Sequence, residues 1–543
     1  MSRGVRRVWQ VLPISARTRA PLEIHIQRSR PSAPPHVEKR LSPLSALQAN
    51  RPLLKVLAVT IAAAWLLTSF WNQPGLSSDY RIQLSTGMKL AEYQRFLFFY
   101  VHKDLFPVAS VAPIPADTTE VADLLLRDVG NSIVMELANT VRAGDNGKIW
   151  LLLPDYWLFG ETLTATPRLA NAGLFTIAIL VLLINLLRVR QYILAFFLVV
   201  FLGSNPFQLF EIVANPNVFG LPISIFILMT GIHIPVIFND RAPSWVMVVL
   251  LALGSGVLLA TVKEIRTEPV IIAAPLLLVY MTIPKAAVKM RSLAVGLFVC
   301  ALLVTSSLWG RYWDSKLKEA TEVVASVGGH VLPDGIRQAH HELWHPIWCG
   351  LGDFATDRGF KWLDTAAYAQ VVPILKSDFG IAVNWSGGYF LDDFYDESRV
   401  YRKKISEIPE YHQVIKGIVQ DAIGNDPIWY AGILWKRFNR ILTDQTPIRI
   451  GLGGLTILAF TYHGSLAILL LLGTVRWRRW PETKLLMLSA APSLTPLLIF
   501  SGKGATYYSS YHIVAAAIGI AMTMEYLRKQ LPGPRVGADT SVA

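Results

Sequence analysis

The chain has 543 residues, 52% of them hydrophobic and 16% charged, with a formal net charge of +13 and two cysteines. A soluble globular domain carries about 25% charged residues, so this composition, with a mean hydropathy of +0.40, excludes an ordinary soluble fold and fits a polytopic membrane protein. The positive charge is no nucleic-acid signal: eleven Lys/Arg against Glu23 and Glu38 within 1–55 place +9 of it in the N-terminal tail, and no aromatic stacking pattern accompanies them.

The tail, 1–52, is rich in Ser, Pro and Arg, as in RSRPSAPP (28–35). Such a segment cannot bury a core and is expected to be disordered, a cytoplasmic topology determinant touching anionic lipid. A first transmembrane helix follows at 53–71, then an extracytoplasmic loop with juxtamembrane helices at 72–168. A transmembrane bundle is expected over 169–309, with apolar runs near 169–187, 191–208, 218–238, 245–262, 269–283 and 292–309. An extracytoplasmic domain occupies 310–449. C-terminal spans near 450–474, 484–500 and 510–527 lead to a cytoplasmic tail at 528–543. The fold class is therefore an all-α polytopic membrane protein of about ten transmembrane helices (nine to twelve) with extracytoplasmic α-rich segments.

Basic loops set the orientation. With a cytoplasmic tail, Arg188, Arg190, Arg241, Lys285, Lys289, Arg291, RWRRW (476–480), Arg528 and Lys529 all fall inside, as positive-inside topology requires. The segment GSNPFQLFEIVANPNVFG (203–220) holds two Asn-Pro pairs and reads as a re-entrant or capping piece on the opposite side. Cys300 falls in an apolar span and Cys349 in a loop, so no disulfide is expected between them.

Within 337–354 stands HELWH, two histidines with a carboxylate between them at the spacing of a zinc protease helix. Against zinc, Pro346 directly follows His345 and should end or kink a helix carrying both His341 and His345. A third ligand is also required, and the metzincin continuation is missing; Asp364 or another downstream acid is the one candidate. The bland alternative packs LWHPIW as an aromatic surface cluster in which both histidines bond locally. No cofactor is predicted, and a divalent metal belongs here to the protease alternative on His341 and His345.

TVKEIRTEP (261–269) places Lys263 and Arg266 at a membrane surface against the positive-inside pattern. A lipid-linked phosphate is one partner for such cations; self-pairing with Glu264 and Glu268 is the other. Lys503, in the glycine-flanked SGKGA, is a second phosphate candidate.

Three places carry a family resemblance. Asp79 with Tyr80 stands just beyond the first span, EYHQVIKGIVQDAIGNDPIWYAGILWKRFNRIL (410–442) forms amphipathic helices before re-entry, and SGKGATYYSSYHIVAAAIGI (501–520) starts a late span. Together with the order of parts, these resemble the GT-C class of membrane glycosyltransferases, which includes protein mannosyltransferases and the lipid A aminoarabinose transferase. The chain departs from that class in having Tyr80 where an adjacent acid would stand, and in lacking the arginine and prolines of the late motif. The resemblance implies a multi-pass protein of the bacterial inner membrane with both termini cytoplasmic. It implies transfer of a glycosyl unit from a polyprenyl-phosphate donor to a glycan, lipid or protein acceptor. Asp79 would be the catalytic base, its alternative role being a helix N-cap, with Lys263, Arg266 and Lys503 on the donor phosphate. Tyr80, Asp155, Trp157, Arg337, His341 and His345 would be acceptor or sugar contacts, with Glu92 and Asp155 as reserve bases and Trp344 and Trp348 as further stacking candidates. Three alternatives remain open: an O-antigen ligase or polymerase using Arg337 and His341, a membrane transporter, and the zinc metalloprotease.

Overall fold

The structure, a computed structural model, describes residues 51–71, 166–530 and Gly147, less 206–208, 210–211, 213–220, 239–242, 327–342, 382–389, 397–398, 406–408, 453–454 and 500–503. The chain divides into a short unit, Met1–Pro52, and a large one, Leu53–Ala543; the second is described below. It is predominantly helical.

Its apolar runs become α1 (Arg51–Trp71), α2 (Thr166–Arg188), α3 (Tyr192–Ser204), α4 (Leu221–Phe238) and α5 (Trp245–Ile265). A 3-10 turn (Glu268–Ile272) then leads into α6 (Ala273–Met281), followed by α7 (Val288–Ser326). Among the described residues, four helices are long and apolar enough to cross a membrane: Ala170–Arg188, Leu221–Phe238, Trp245–Ile265 and Val288–Ser315. Four shorter apolar helices accompany them, at Leu54–Ser69, Tyr192–Ser204, Pro269–Met281 and Gly464–Arg476. The apolar window of Val288–Ser315 is only 17% buried, and Val288, Leu303, Val304 and Leu308 are exposed. An apolar face of that kind is stable against lipid and costly in water. The 39 residues of α7 extend about 58 Å at 1.5 Å per residue, roughly twice a hydrocarbon core, so the helix continues well beyond the end of its apolar part.

Helices α5 and α7 pack side by side and parallel. A Cβ at Gly256 would press on the Phe298 carbonyl and Ala301, so the close approach depends on glycine, as helix contacts in lipid often do. Higher along the pair, Trp309 Nε1 donates to Thr261 Oγ1 at 3.1 Å and Trp313 Nε1 to Glu264 Oε2 at 2.9 Å. Within the bundle, His233 of α4 is fully buried. Its Nδ1 lies 2.7 Å from the Met229 carbonyl and its Nε2 2.8 Å from Tyr280 Oη, which reaches Ser255 Oγ at 3.3 Å. That chain ties α4, α6 and α5 together through satisfied polar groups.

A second apolar core forms in 344–433. Its elements are α8 (Trp344–Leu351), α9 (Asp364–Phe379), α10 (Pro409–Asn425) and α11 (Pro427–Thr443), closed around Trp348, Tyr368, Tyr411, Ile415 and Val419. An antiparallel hairpin, β1 (Phe390–Asp396) and β2 (Arg399–Lys404), precedes α10.

Three expectations change here. The chain is not all-α, and the apolar run 450–474 is not one helix. Residues 445–463 form a second antiparallel hairpin, β3 (Gln445–Leu452) with β4 (Leu455–His463), and only then does α12 (Gly464–Arg476) begin. The strands are rich in β-branched residues and their paired Leu452 and Leu455 flank Gly453-Gly454, which favours a hairpin over a helix of equal apolarity. The run 484–500 is likewise broken, into α13 (Trp480–Ala490), a 3-10 turn (Ala491–Ser493) and α14 (Leu494–Leu498); α15 (Gly504–Gln530) closes the fold. The segment 203–220, expected to be a re-entrant or capping piece, is described only at 203–205, 209 and 212, where Asn205 Nδ2 donates to the Pro447 carbonyl at 2.8 Å and holds β3 against α3.

Candidate functional site

The bundle has two chemically different ends. One gathers the basic turns: Lys484 Nζ donates to the Thr282 carbonyl at 2.6 Å, and Arg479 pairs with Glu482 at 2.6 Å and with Glu525 at 2.8 Å. Helix α12 ends in a Schellman motif, with Arg479 N–H to the Thr474 carbonyl and Arg478 N–H to that of Val475. Helix α2 ends the same way, Gln191 N–H to Leu186 and Arg190 N–H to Leu187. The left-handed position, which glycine normally fills, holds Arg190 (φ 65°) and Arg478 (φ 55°).

The opposite end carries Lys263 and Arg266, at the close of α5. Lys263 is exposed and Arg266 half-buried. Arg266 caps the helix through its backbone, with its N–H on the Val262 carbonyl at 2.9 Å. Glu264, between them in sequence, accepts a hydrogen bond from Trp313 Nε1 at 2.9 Å. Close by in sequence, Pro269, Ile271 and Ile272 line a small apolar cleft with Pro222, Phe226, Pro492 and Thr495. The cleft sits where two 3-10 breaks face the start of α4.

The second core docks on this same end, since α11 packs on α14. Arg437 of α11 is completely buried, with Nη1 donating to the Leu497 carbonyl at 3.4 Å and Nε lying 4.0 Å from Asp353 Oδ2. Burial pulls the Arg437 pKa down, and the adjacent Asp353 opposes that. A Cβ at Gly350 would press on the Ile499 carbonyl and on Arg437 Nη2, so α8 touches α14 through a bare backbone.

Inside the second core lies a cluster of ligand-type side chains. His345 Nε2 is 3.1 Å from Asp364 Oδ1, and Cys349 Sγ is 3.7 Å from each of them. His345 Nδ1 is engaged by the Tyr411 hydroxyl, and the Tyr368 ring stacks on the imidazole. His345 and Cys349 are buried, while the Asp364 side chain is 49% exposed. Burial raises the Cys349 thiol pKa, and the nearby Asp364 carboxylate raises it further; desolvation does the same to Tyr411. Of the described residues, these three form the group whose geometry would suit a metal ion.

Several sequence expectations change at this cluster. The helix bearing His345 begins at Trp344. Pro346 therefore sits in its first turn, where its missing N–H costs nothing; of the two histidines, only His345 stands on this described helix. The helical partner of His345 is Cys349, one turn later and on a helix instead of in a loop. Trp348 and His345 are interior rather than a surface cluster, and Trp348, fully buried with Nε1 on Gln370 Oε1 at 2.9 Å, has no face for a sugar. Trp344 is half-buried beneath Lys416, whose Nζ is 5.8 Å from the ring centroid. Both cysteines are free thiols. Asp79, Tyr80, Glu92, Asp155, Trp157, Arg337, His341 and Lys503 lie outside the described residues. Sequence reasoning missed Tyr411, Asp353 and Arg437; the only local signal it passed over was Cys349, four residues after a histidine.

The fold and its sites define a predominantly helical protein with four helices fit to cross a membrane and a helical unit docked on one end of their bundle. Comparison with protein families, with curated proteins and with solved structures finds no match to the chain.

Proposed function

We propose that the chain is an integral-membrane glycosyltransferase of GT-C type, moving a glycosyl unit from a polyprenyl-phosphate donor to an acceptor outside the cytoplasm. The observation that carries this reading is the pairing of two features at one bundle end. Lys263 and Arg266 stand at the close of a membrane-length helix, and shortly after them in sequence Pro269, Ile271 and Ile272 line a small apolar cleft between broken helices. A polyprenyl phosphate has this same duality, an anionic head on an apolar chain. Cations at that level bind the head through charge-assisted hydrogen bonds and stabilise the charge on the departing phosphate. In this reading the basic turns at the other end face the cytoplasm, and the cation pair and the docked unit face outward. In this reading the short helices at 54–69, 192–204, 269–281 and 464–476 join the four long ones as partial or tilted crossings, toward about ten membrane segments in all. Asp79 takes the proton from the acceptor hydroxyl, and Lys503 assists at the phosphate.

The test is transfer of labelled sugar from a polyprenyl-phosphate donor in membranes, with lipid binding measured separately. Arg266→Ala should weaken donor binding and slow turnover together. Asp79→Asn should lower turnover by about 10²–10⁴-fold, the usual share of a general base, and leave donor binding intact. Normal transfer by both variants would discard the reading.

A further inference from the structure

We propose that His345, Cys349 and Asp364 form a site for a borderline-soft divalent metal of the zinc class, with three protein ligands and a fourth position open to solvent. The distances carry the inference. A tetrahedral zinc ion bound at about 2.0–2.1 Å by nitrogen and oxygen and about 2.3 Å by sulfur sets its ligand atoms about 3.3–3.6 Å apart. The three edges here are 3.1, 3.7 and 3.7 Å, so a metal needs shifts of only a few tenths of an ångström. A carboxylate hydrogen-bonded to an imidazole accounts for the short edge alone. The thiol, equidistant from both, is either a donor to that carboxylate or the third ligand, and metal titration separates the two.

The surroundings match what such a site requires. One turn of α8 places the imidazole and the thiol on the same face, and Asp364 enters from the first residue of α9. The Tyr411 hydroxyl holds Nδ1, which fixes the ring with Nε2 directed at the other two ligands, the second-layer bond that metal-binding histidines commonly make. Tyr368 stacks on the ring and restricts its rotation. Asp364 is the exposed member and offers water a route to a fourth coordination position, which in a zinc site can polarise a bound molecule. Thiol, imidazole and carboxylate together favour zinc over magnesium or calcium, which take oxygen ligands alone. Binding is ligand exchange without redox change: Cys349 S–H loses its proton to solvent as the S–metal bond forms.

The experiment uses the full chain in detergent, stripped with chelator and titrated with Zn²⁺ or Co²⁺. One metal per chain is expected, with a thiolate-to-cobalt charge-transfer band and the intense d–d bands of a tetrahedral ion. Cys349→Ser should abolish the charge-transfer band, whereas Cys300→Ser, altering the chain's other thiol, should leave it unchanged. Tyr411→Phe, which removes only the positioning hydroxyl, should weaken binding about 10–100-fold and keep the band. X-ray absorption on the zinc-loaded wild type gives a readout that needs no variant: one sulfur ligand with the remainder nitrogen and oxygen. Absence of stoichiometric metal in the wild type, a zinc spectrum with no sulfur, or a charge-transfer band surviving in Cys349→Ser would each overturn the proposal. Those failures would leave a hydrogen-bonded triad, and they would not touch the glycosyl-transfer reading, which uses none of these residues as its base or phosphate ligands.

Discussion

Replacing Asp353 by asparagine should loosen α8 from α11 within the second core more than any surface change nearby. Arg437 and Asp353 are 0% and 6% exposed at their side chains, and their closest atoms are 4.0 Å apart. That separation is too long for a hydrogen bond, and among the described residues Arg437 Nε and Nη2 have no hydrogen-bond partner. The carboxylate therefore acts as a counter-charge, contributing about 4 kcal/mol of attraction at 4.0 Å and an effective dielectric near 20. Asp353→Asn keeps the shape and leaves a buried guanidinium with no anion, at a cost of about 3–5 kcal/mol. Removing both charges, as in Asp353→Asn with Arg437→Met, should recover much of that loss, because burying two charges was itself expensive. Hydrogen exchange of the α8 and α11 amides reports local opening directly. At about 1.4 kcal/mol per tenfold, exchange should accelerate by about 10²–10⁴-fold in Asp353→Asn and return toward the wild-type rate in the double variant. Unaltered exchange in Asp353→Asn, or additive losses in the double variant, would show that the pair does not hold α8 and α11 together.

Three further outcomes are expected. Gly350→Ala pushes a methyl group into the Ile499 carbonyl and Arg437 Nη2, and an overpacking cost of about 1–3 kcal/mol should appear as faster exchange in both α8 and α14; a change confined to α8 would contradict the contact. Asp426 caps α11 through the Trp429 N–H at 2.9 Å and pairs with Arg358 at 2.6 Å, and these two bonds hold its carboxyl below the usual carboxylate range. A depressed carboxylate adds stability above its unfolded pKa and loses it as pH falls through the folded value, so Asp426→Asn should destabilise α11 at neutral pH, and the gap to wild type should close in acid. Arg190→Gly and Arg478→Gly each relieve a left-handed backbone that costs a side-chain residue about 1–2 kcal/mol, so each should raise the melting temperature; a lowered value would show that the arginine side chains contribute more than the backbone strain removes.

The sequence by itself determined the apolar helices α2, α4, α5 and α7, because a run of that length and apolarity has few other stable forms. It also marked the basic turns now grouped at one bundle end, and the unusual cations Lys263 and Arg266 at the other. The β3–β4 hairpin was written locally as well, in its β-branched residues and its Gly453-Gly454 pair, yet apolarity over 450–474 outweighs that signal in any reading by hydropathy. Tertiary structure decided the rest. HELWH drew attention to His345 with the wrong partner, since only the phase of α8, beginning at Trp344, sets the imidazole beside Cys349. Asp364 was within reach as a candidate third ligand, but a gap of nineteen residues carries no distance until α9 packs against α8. Asp353 and Arg437 had no sequence signal at all. A charge discloses its burial only when the surfaces around it close, and here they close because the bare backbone of Gly350 lets α8 meet α14.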